Sequence, residues 1–469
     1  MATRSIFLTG TDPTLKLAPN DVWLPGIYSR RVLCFELSPQ TSHGQVIDVF
    51  SRGLQALVNG TPELGATSVI IQNAAPHDPS QPWRALVPGK GIELVIKDLT
   101  KSFTPFEQLE SSGFPIAEFK DGELMPIDGP IMPEPAAVSR FQLSFIDGGV
   151  LLSLCMYHHL SDGNGMNAIV RALAEECKKA GEQSSKEPTA RVMNTSRDVF
   201  DNLSDDGLRD LSHHPAYDMV EGIFTPGAEH HEEDHPATTP VFKPLYYHLS
   251  HDKAEALKAY GSTNTPVSTH DAISAALWRN LIISRHNLGE FTDLSMTSTY
   301  TIPHNARKYL NVPETWVGYL TYFLAVQANI AEILEPDSLP LLAGRIRAAL
   351  KNVTTKHVEG VLQLRKEHPY SLNWWPLWKA DAPETVAFTS FYHSDMLSAD
   401  WGSTLGGRAR HFTTTDVGGI SEGFQRVHYV GPMLDGGKGC FVFVGALEKE
   451  AEYFEKEEVW QKYFKLEKK

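Results

Sequence analysis

The stretch Gly148-Gly149-Val150-Leu151-Leu152-Ser153-Leu154-Cys155-Met156-Tyr157-His158-His159-Leu160-Ser161-Asp162-Gly163 decides the fold. From Gly148 to Met156 it is a nearly continuous apolar run, with the length and composition of a strand covered on both faces. Past the polar segment the period changes. Met166, Ile169, Val170, Leu173, Ala174 and Cys177 follow i, i+3, i+4, i+7 spacing, which predicts an amphipathic helix with Asn164 and Gly165 in the turn before it. A strand feeding a helix is the repeating unit of an α/β fold. The connection between them presents an imidazole and a carboxylate four residues apart, beside a glycine, at the kind of position where scaffolds hold reactive groups.

Outward from this unit the alternation continues. Tyr28 to Leu37 and Phe141 to Phe145 read as strands, Gly44 to Val58 as a helix ending at Asn59-Gly60, and Pro126 to Pro135 as loop. Between Gly181 and Pro244 the apolar period fails, and a segment this long should hold at least one short helix. Strands resume at Lys243 to Ser250, Asp293 to Ile302, Gly318 to Gln327 and Gly439 to Ala446. Helices are expected from Ala272 to Ile283 with Thr269 as N-cap, from Leu339 to Val361, and from Leu447 to Lys469. A chain of 469 residues exceeds what one core fills, so two domains are expected: residues 1–190, a crossover at 191–240, and residues 241–469.

The formal charge of −15 argues against nucleic acid or an anionic membrane as partner, since both call for a basic face. The N-terminal MATRSIFLTGTDPTLKL has no continuous apolar core of a signal peptide, and no apolar run approaches the ~20 residues of a membrane span. Cys34, Cys155, Cys177 and Cys440 are far apart in apolar patterns, as reduced core residues are. No CxxC pair exists to build a thiolate zinc site. A soluble, cytoplasmic protein is the expectation from these features, and a monomer is expected besides.

Histidine accepts and returns a proton near neutral pH, because its ordinary pKa is ~6.5. One such base suffices where an acceptor hydroxyl attacks a thioester, since the departing thiolate, with a conjugate acid near ~8.5, needs little help. Other chemistries fit less well. Gly419-Ile420-Ser421-Glu422-Gly423 matches G-x-S-x-G, but a polar segment precedes it and a strand-like one follows, whereas a nucleophile elbow joins a buried strand to a helix. His230, His231, Asp234 and His235, with His213 and His214, offer metal-type ligands, yet they sit in an irregular acidic segment without a helical H-E-x-x-H. The tryptophans Trp374, Trp375 and Trp378 could line an apolar acceptor pocket or pack a core.

His158-His159-Leu160-Ser161-Asp162-Gly163 resembles the H-x-x-x-D-G motif of the BAHD acyltransferases, and Asp400-Trp401-Gly402-Ser403-Thr404 is similar to that family's D-F-G-W-G. Thr269 to Trp278 resembles the helix opening the family's second domain, Asn305-Ala306-Arg307 its D-x-R and Thr389-Ser390-Phe391 its T-S-W. The run from Pro105 to Gly163 is most similar to the fungal trichothecene 3-O-acetyltransferase branch. The resemblance implies an α/β fold of two chloramphenicol acetyltransferase-like domains with mixed sheets and a channel between them. It implies transfer from acyl-CoA, acetyl-CoA by preference, to a hydroxyl of a small secondary metabolite through a ternary complex, with no metal. His158 is then the general base and Asp400 the second signature residue. Asp162, Gly163, Arg307 and Gly402 are motif residues of structural role, with Asp162 paired to Arg307, and Ser390, Arg408 and Arg410 would contact coenzyme A. Here Asn305 replaces an aspartate, while Trp401, Ser403 and Thr404 depart from the second motif. The rival readings are a non-catalytic relative binding a small molecule in the same channel, and a metal-dependent enzyme using the His-rich loop.

Overall fold

The motif strand, Gly149–Tyr157, is buried at every position. In the computed structural model, which describes residues 3–467 apart from 25, 77, 79, 128, 130–133, 184–186, 221–241, 375–381, 416–426 and 435–437, it lies inside a six-stranded mixed sheet. The strand order is Thr3–Leu8, Ile92–Asp98, Ser139–Ile146, Gly149–Tyr157, Tyr28–Glu36, His411–Thr413. On one face pack the helices His43–Gly60 and Gly163–Glu182, whose apolar stripes share a core with Leu33, Phe35, Leu152, Leu154 and Met156. The other face carries Tyr28, Val32, Cys34, Leu151, Cys155 and Tyr157 in a second core, which explains why this strand shows no polar alternation.

The second half builds a seven-stranded mixed sheet in the order Thr321–Asn329, Thr297–Asn305, Thr385–Ser390, Val427–Val430, Cys440–Leu447, Phe242–Leu249, Lys465–Leu466. Helices His251–Gly261, Thr269–Asn287, Ser338–Asn352 and Glu448–Phe454 cover it. The last strand of the first sheet comes from this half. Residues 396–413 cross over because Met396, Leu397, Trp401, Leu405 and Phe412 have their apolar partners in the first core. Trp401 is fully buried with ring contacts to Phe35 at 5.2 Å and Phe50 at 5.7 Å, a burial of the kind that costs roughly 3–5 kcal/mol to remove. This segment departs from a simple division of the chain at 240.

Several expected boundaries shift for local reasons. Asn164 and Gly165 belong to the first helical turn, because Asp162 caps the helix. Ser268 rather than Thr269 caps the helix Thr269–Asn287, through reciprocal bonds with Asp271. The helix expected over Leu339 to Val361 is two, Ser338–Asn352 and Thr355–Glu367, and the charged C-terminal helix is split into Glu448–Phe454 and Glu458–Tyr463. In the crossover, the short helix expected is met by single 3₁₀ turns at Asp198–Phe200 and Leu211–His213. No described helix is long and apolar enough to cross a membrane.

Candidate active site

The site is built at the exit of the motif strand. The His158 amide donates to Ile27 O at 2.9 Å, which continues the pairing with the neighbouring strand Tyr28–Glu36 one residue past its last registered partners, Tyr28 and Tyr157. The chain then turns, and Asp162 opens the helix. Its carboxylate accepts from the amides of Asn164 at 3.1 Å and Gly165 at 3.0 Å, and from the amide of Leu320 at 2.9 Å in the second half of the chain. Arg307 completes the set through Nη1 to Oδ2 and Nη2 to Oδ1, each at 2.8 Å. Burial alone would raise the Asp162 carboxyl. The guanidinium and the amide donors outweigh it and hold the pKa below the ordinary carboxylate value. Asn305, where the related motif has aspartate, still serves: its Oδ1 accepts from the Arg307 amide at 3.1 Å and from Nη1 at 3.3 Å.

The turn fixes the state of His158. Its Nδ1 lies 3.1 Å from the carbonyl oxygen of Ser161. A carbonyl only accepts, so Nδ1 carries the proton and the Nε2 lone pair is left as the basic position. The ring is half-buried, and Tyr319 stands edge-on to it at 6.2 Å. Burial pushes the imidazole pKa down to about 4, with the charge of Arg31 acting in the same direction against the pull of Asp162 and the Ser161 carbonyl. His158 is therefore neutral at physiological pH, the state a general base needs.

His159 points the other way. It is fully buried, with Nε2 2.9 Å from Leu24 O and Nδ1 3.4 Å from Ser68 Oγ, and burial holds its pKa well below the ordinary value. It belongs to the core.

Beside the start of the motif helix is a cavity of about 660 Å³ between the two halves. Gly163, Asn164 and Asn167 form one wall, with His270, Ser390, Phe391 and His393 opposite and Lys308, Arg347 and Lys351 on its border. Ser390 Oγ is 3.0 Å from His270 Nε2 and accepts from the Tyr392 amide at 3.1 Å. Of the three coenzyme contacts expected from sequence, Ser390 alone lines this cavity; Arg408 and Arg410 are exposed elsewhere, Arg410 in an ion pair with Glu36 at 2.6 Å.

The structure does not bring Asp400 together with His158. Asp400 is an exposed carboxylate bonded to Lys178 at 2.7 Å and to the Gly402 amide at 3.0 Å. Lys178 is near the far end of the motif helix, about 22 Å from Gly163 at roughly 1.5 Å of rise per residue. That leaves Asp400 no position for proton transfer at the histidine, and its geometry is that of a turn-forming residue. Gly402 adopts φ 81°, and a Cβ on it would stand 3.0 Å from the Lys178 backbone. The motif glycine Gly163 is different, since a Cβ there meets only Arg31 Nη2 at 3.7 Å. Sterics demand Gly165 instead, where a Cβ would overlap Ser161 Oγ and stand 3.3 Å from Arg307 Nη2.

Trp374 is core, stacked on Phe323 at 4.2 Å, whereas Trp375 and Trp378 lie outside the described residues. So do His230, His231, Asp234, His235 and the segment from Gly419 to Gly423. His214 is engaged with Leu208 O at 2.6 Å and the Tyr322 hydroxyl at 3.1 Å. Among the described residues no three of His, Cys, Asp and Glu are grouped to hold a metal.

Arg31 is a site residue that no motif in the sequence marks. It is fully buried on the strand paired with the motif strand, and it shares the helix-facing side with Leu33 and Phe35. The signal was the two-residue period of Arg31, Leu33 and Phe35, which places a cation on an apolar face.

Two family models match the chain: the trichothecene 3-O-acetyltransferase-like N-terminal domain over residues 27–177, and the Transferase family over residues 140–459. Among similar proteins, the enoyl-CoA isomerase/hydratase claC of Penicillium crustosum is 26% identical over 82% of this chain, which spans 43% of that protein's length. The acyltransferase easC of Emericella nidulans is 24% identical over 84% of this chain and 85% of its own. Trichothecene 3-O-acetyltransferase TRI101 of Fusarium sporotrichioides is 25% identical over 75% of each chain. The crystal structure of that TRI101 with coenzyme A and T-2 is similar over 98% of this chain and 100% of its own, with a TM-score of 0.76 at 19% identity. The two-domain α/β fold with mixed sheets is therefore shared with it.

Proposed function

The chain belongs to the Transferase family, the BAHD acyltransferases, and on that premise we propose that it is an acyl-CoA-dependent O-acyltransferase, moving an acetyl group to a hydroxyl of a small secondary metabolite. One observation carries the mechanism. His158 is neutral, its Nδ1 proton is held by the Ser161 carbonyl, and its Nε2 is left to accept. In a ternary complex Nε2 takes the acceptor hydroxyl proton as the oxygen attacks the thioester carbon, and the imidazolium returns that proton to the departing thiolate. Asp162 and Arg307 act at a distance from the reaction, by fixing the turn on which His158 stands.

The 660 Å³ cavity is the reading's place for the acyl donor, because it opens at the motif helix and is bordered by Lys308 and Lys351, cations suited to phosphates, with Arg347 beside them ion-paired to Asp271. The relatives support the donor class, since the similar TRI101 structure holds coenzyme A together with T-2. The free, buried Cys34, Cys155, Cys177 and Cys440 suit a reducing compartment such as the cytoplasm. The test supplies acetyl-CoA with a panel of hydroxylated small metabolites, following free thiol and the mass of the acceptor. Acceptor-dependent thiol release with a 1:1 acylated product is expected. Absence of product from acetyl-CoA and from longer acyl-CoAs alike would overturn the reading.

A further inference from the structure

Arg31 is a buried cation that makes no direct ion pair among the described residues, with the Asp162 carboxylate acting on it only through space. Nη1 donates to Asn167 Oδ1 at 2.9 Å, the sulfurs of Met396 and Met166 lie at 3.6 and 4.0 Å, and the guanidinium covers the Phe391 ring at 4.9 Å. Nε has no partner at all. Burying an ion this way is unfavourable by several kcal/mol, and apolar residues of similar volume are usually tolerated as well or better in such places. The neighbouring helix-facing residues Leu33 and Phe35 show what the core would otherwise hold.

The cation does not line the cavity itself but packs behind residues that do. Asn167 and Phe391, which it touches, both line the cavity. So does Gly163, and a Cβ on it would stand 3.7 Å from Arg31 Nη2, so the buried guanidinium lies directly behind the cavity wall at the glycine, with no side chain of residue 163 between them. Gly163 is itself five residues past His158, across the turn that holds the imidazole.

We propose that Arg31 is the anion-stabilising catalytic residue of this site, donating from its guanidinium to the thioester carbonyl oxygen of the acyl donor. This rests on the acyl-CoA reading of the cavity. As the acceptor oxygen bonds to the carbonyl carbon and its proton passes to His158 Nε2, the carbonyl π pair moves onto oxygen, where the positive charge meets it. On collapse that pair re-forms the carbonyl, the C–S bond breaks, and sulfur leaves with its electron pair and takes the proton from the imidazolium. Burial holds His158 neutral between turnovers, and the same charge acts in that direction.

Calorimetric binding of coenzyme A, S-ethyl-coenzyme A and S-carboxymethyl-coenzyme A tests this without an identified acceptor, because the carboxylate stands in for the oxyanion. The parent should bind the carboxymethyl thioether about tenfold or more tightly than the ethyl one, the scale of one charge-assisted hydrogen bond. Arg31→Met should abolish that preference while binding coenzyme A as the parent does. Arg31→Lys, which keeps the charge, should retain part of it and supplies the answer if the methionine variant fails to fold. Equal preference in the parent and either variant would overturn the role of Arg31 and leave the acyl-CoA reading standing. Binding of none of the three thioether and thiol forms by the parent would overturn both.

Discussion

Arg307 and Asp162, 145 residues apart in the chain, meet through two parallel hydrogen bonds of 2.8 Å each, and both side chains are buried. The pair joins the turn carrying His158 to the strand system of the second half. Asp162→Asn or Arg307→Met leaves one buried charge unmatched, a loss of about 3–5 kcal/mol in urea unfolding at pH 7. The double variant should lose less than the sum of the two, because neither charge is then stranded. Strict additivity would show that the pair is not coupled.

The pKa of His158, near 4 in the fold, sets the acid limit of activity. The limb of kcat/KM should fall well below 6.5, toward 4 to 5, in a pH-rate profile. Stability follows the same sign. A histidine depressed in the fold stays neutral while the unfolded chain takes a proton, so its stabilising contribution is full above about 6.5 and is lost as pH falls toward 4. His214, His270 and His304, also held near 4 by burial, add to this, and urea midpoints should decline across that window. A midpoint flat from pH 7 to 4 would contradict it.

The second motif should behave as architecture. Asp400→Asn keeps an oxygen for the Gly402 amide, and loss of its exposed pair with Lys178 should leave kcat/KM within about threefold of the parent. Gly402→Ala should be the damaging change, by roughly 1–3 kcal/mol in urea unfolding, since its φ of 81° and the Lys178 backbone leave no room for a Cβ. The reverse order of severity would argue for chemistry at Asp400.

Lys308 and Lys351 border the proposed donor cavity without belonging to the turn. Removing both should raise the KM for acyl-CoA by about three- to tenfold with kcat nearly unchanged, and the effect should shrink as salt is added. A loss confined to kcat would place the donor elsewhere.

The strand and helix around the histidines were legible because both periods are unbroken there, and the resemblance to H-x-x-x-D-G, with Asp162 four residues on, pointed to His158 rather than His159 as the proposed base. Arg307 was legible only through a motif, since nothing local ties residue 307 to residue 162. The crossing of residues 396–413 was not legible. The burial of Trp401 against Phe35 and Phe50 is a long-range event that no local period encodes. Lys308, in the 3₁₀ turn Arg307–Leu310, and Arg347 and Lys351, one turn apart on the helix Ser338–Asn352, escaped for the same reason: only the fold brings these two parts of the chain to one cavity. Arg31 is visible in its strand period, but that period alone assigns it nothing beyond a place in the strand.

The most direct test of the account is the rate of acyl transfer by His158→Ala beside His159→Ala, in an assay of thiol release and acylated product. His158→Ala should fold normally and lose about 100-fold or more in kcat, the scale of a general base. His159→Ala should melt earlier, because it strands Leu24 O and opens a gap in the core, yet keep kcat within about tenfold. A His158→Ala enzyme that transfers acyl groups as fast as the parent would contradict the assignment of His158 as the base.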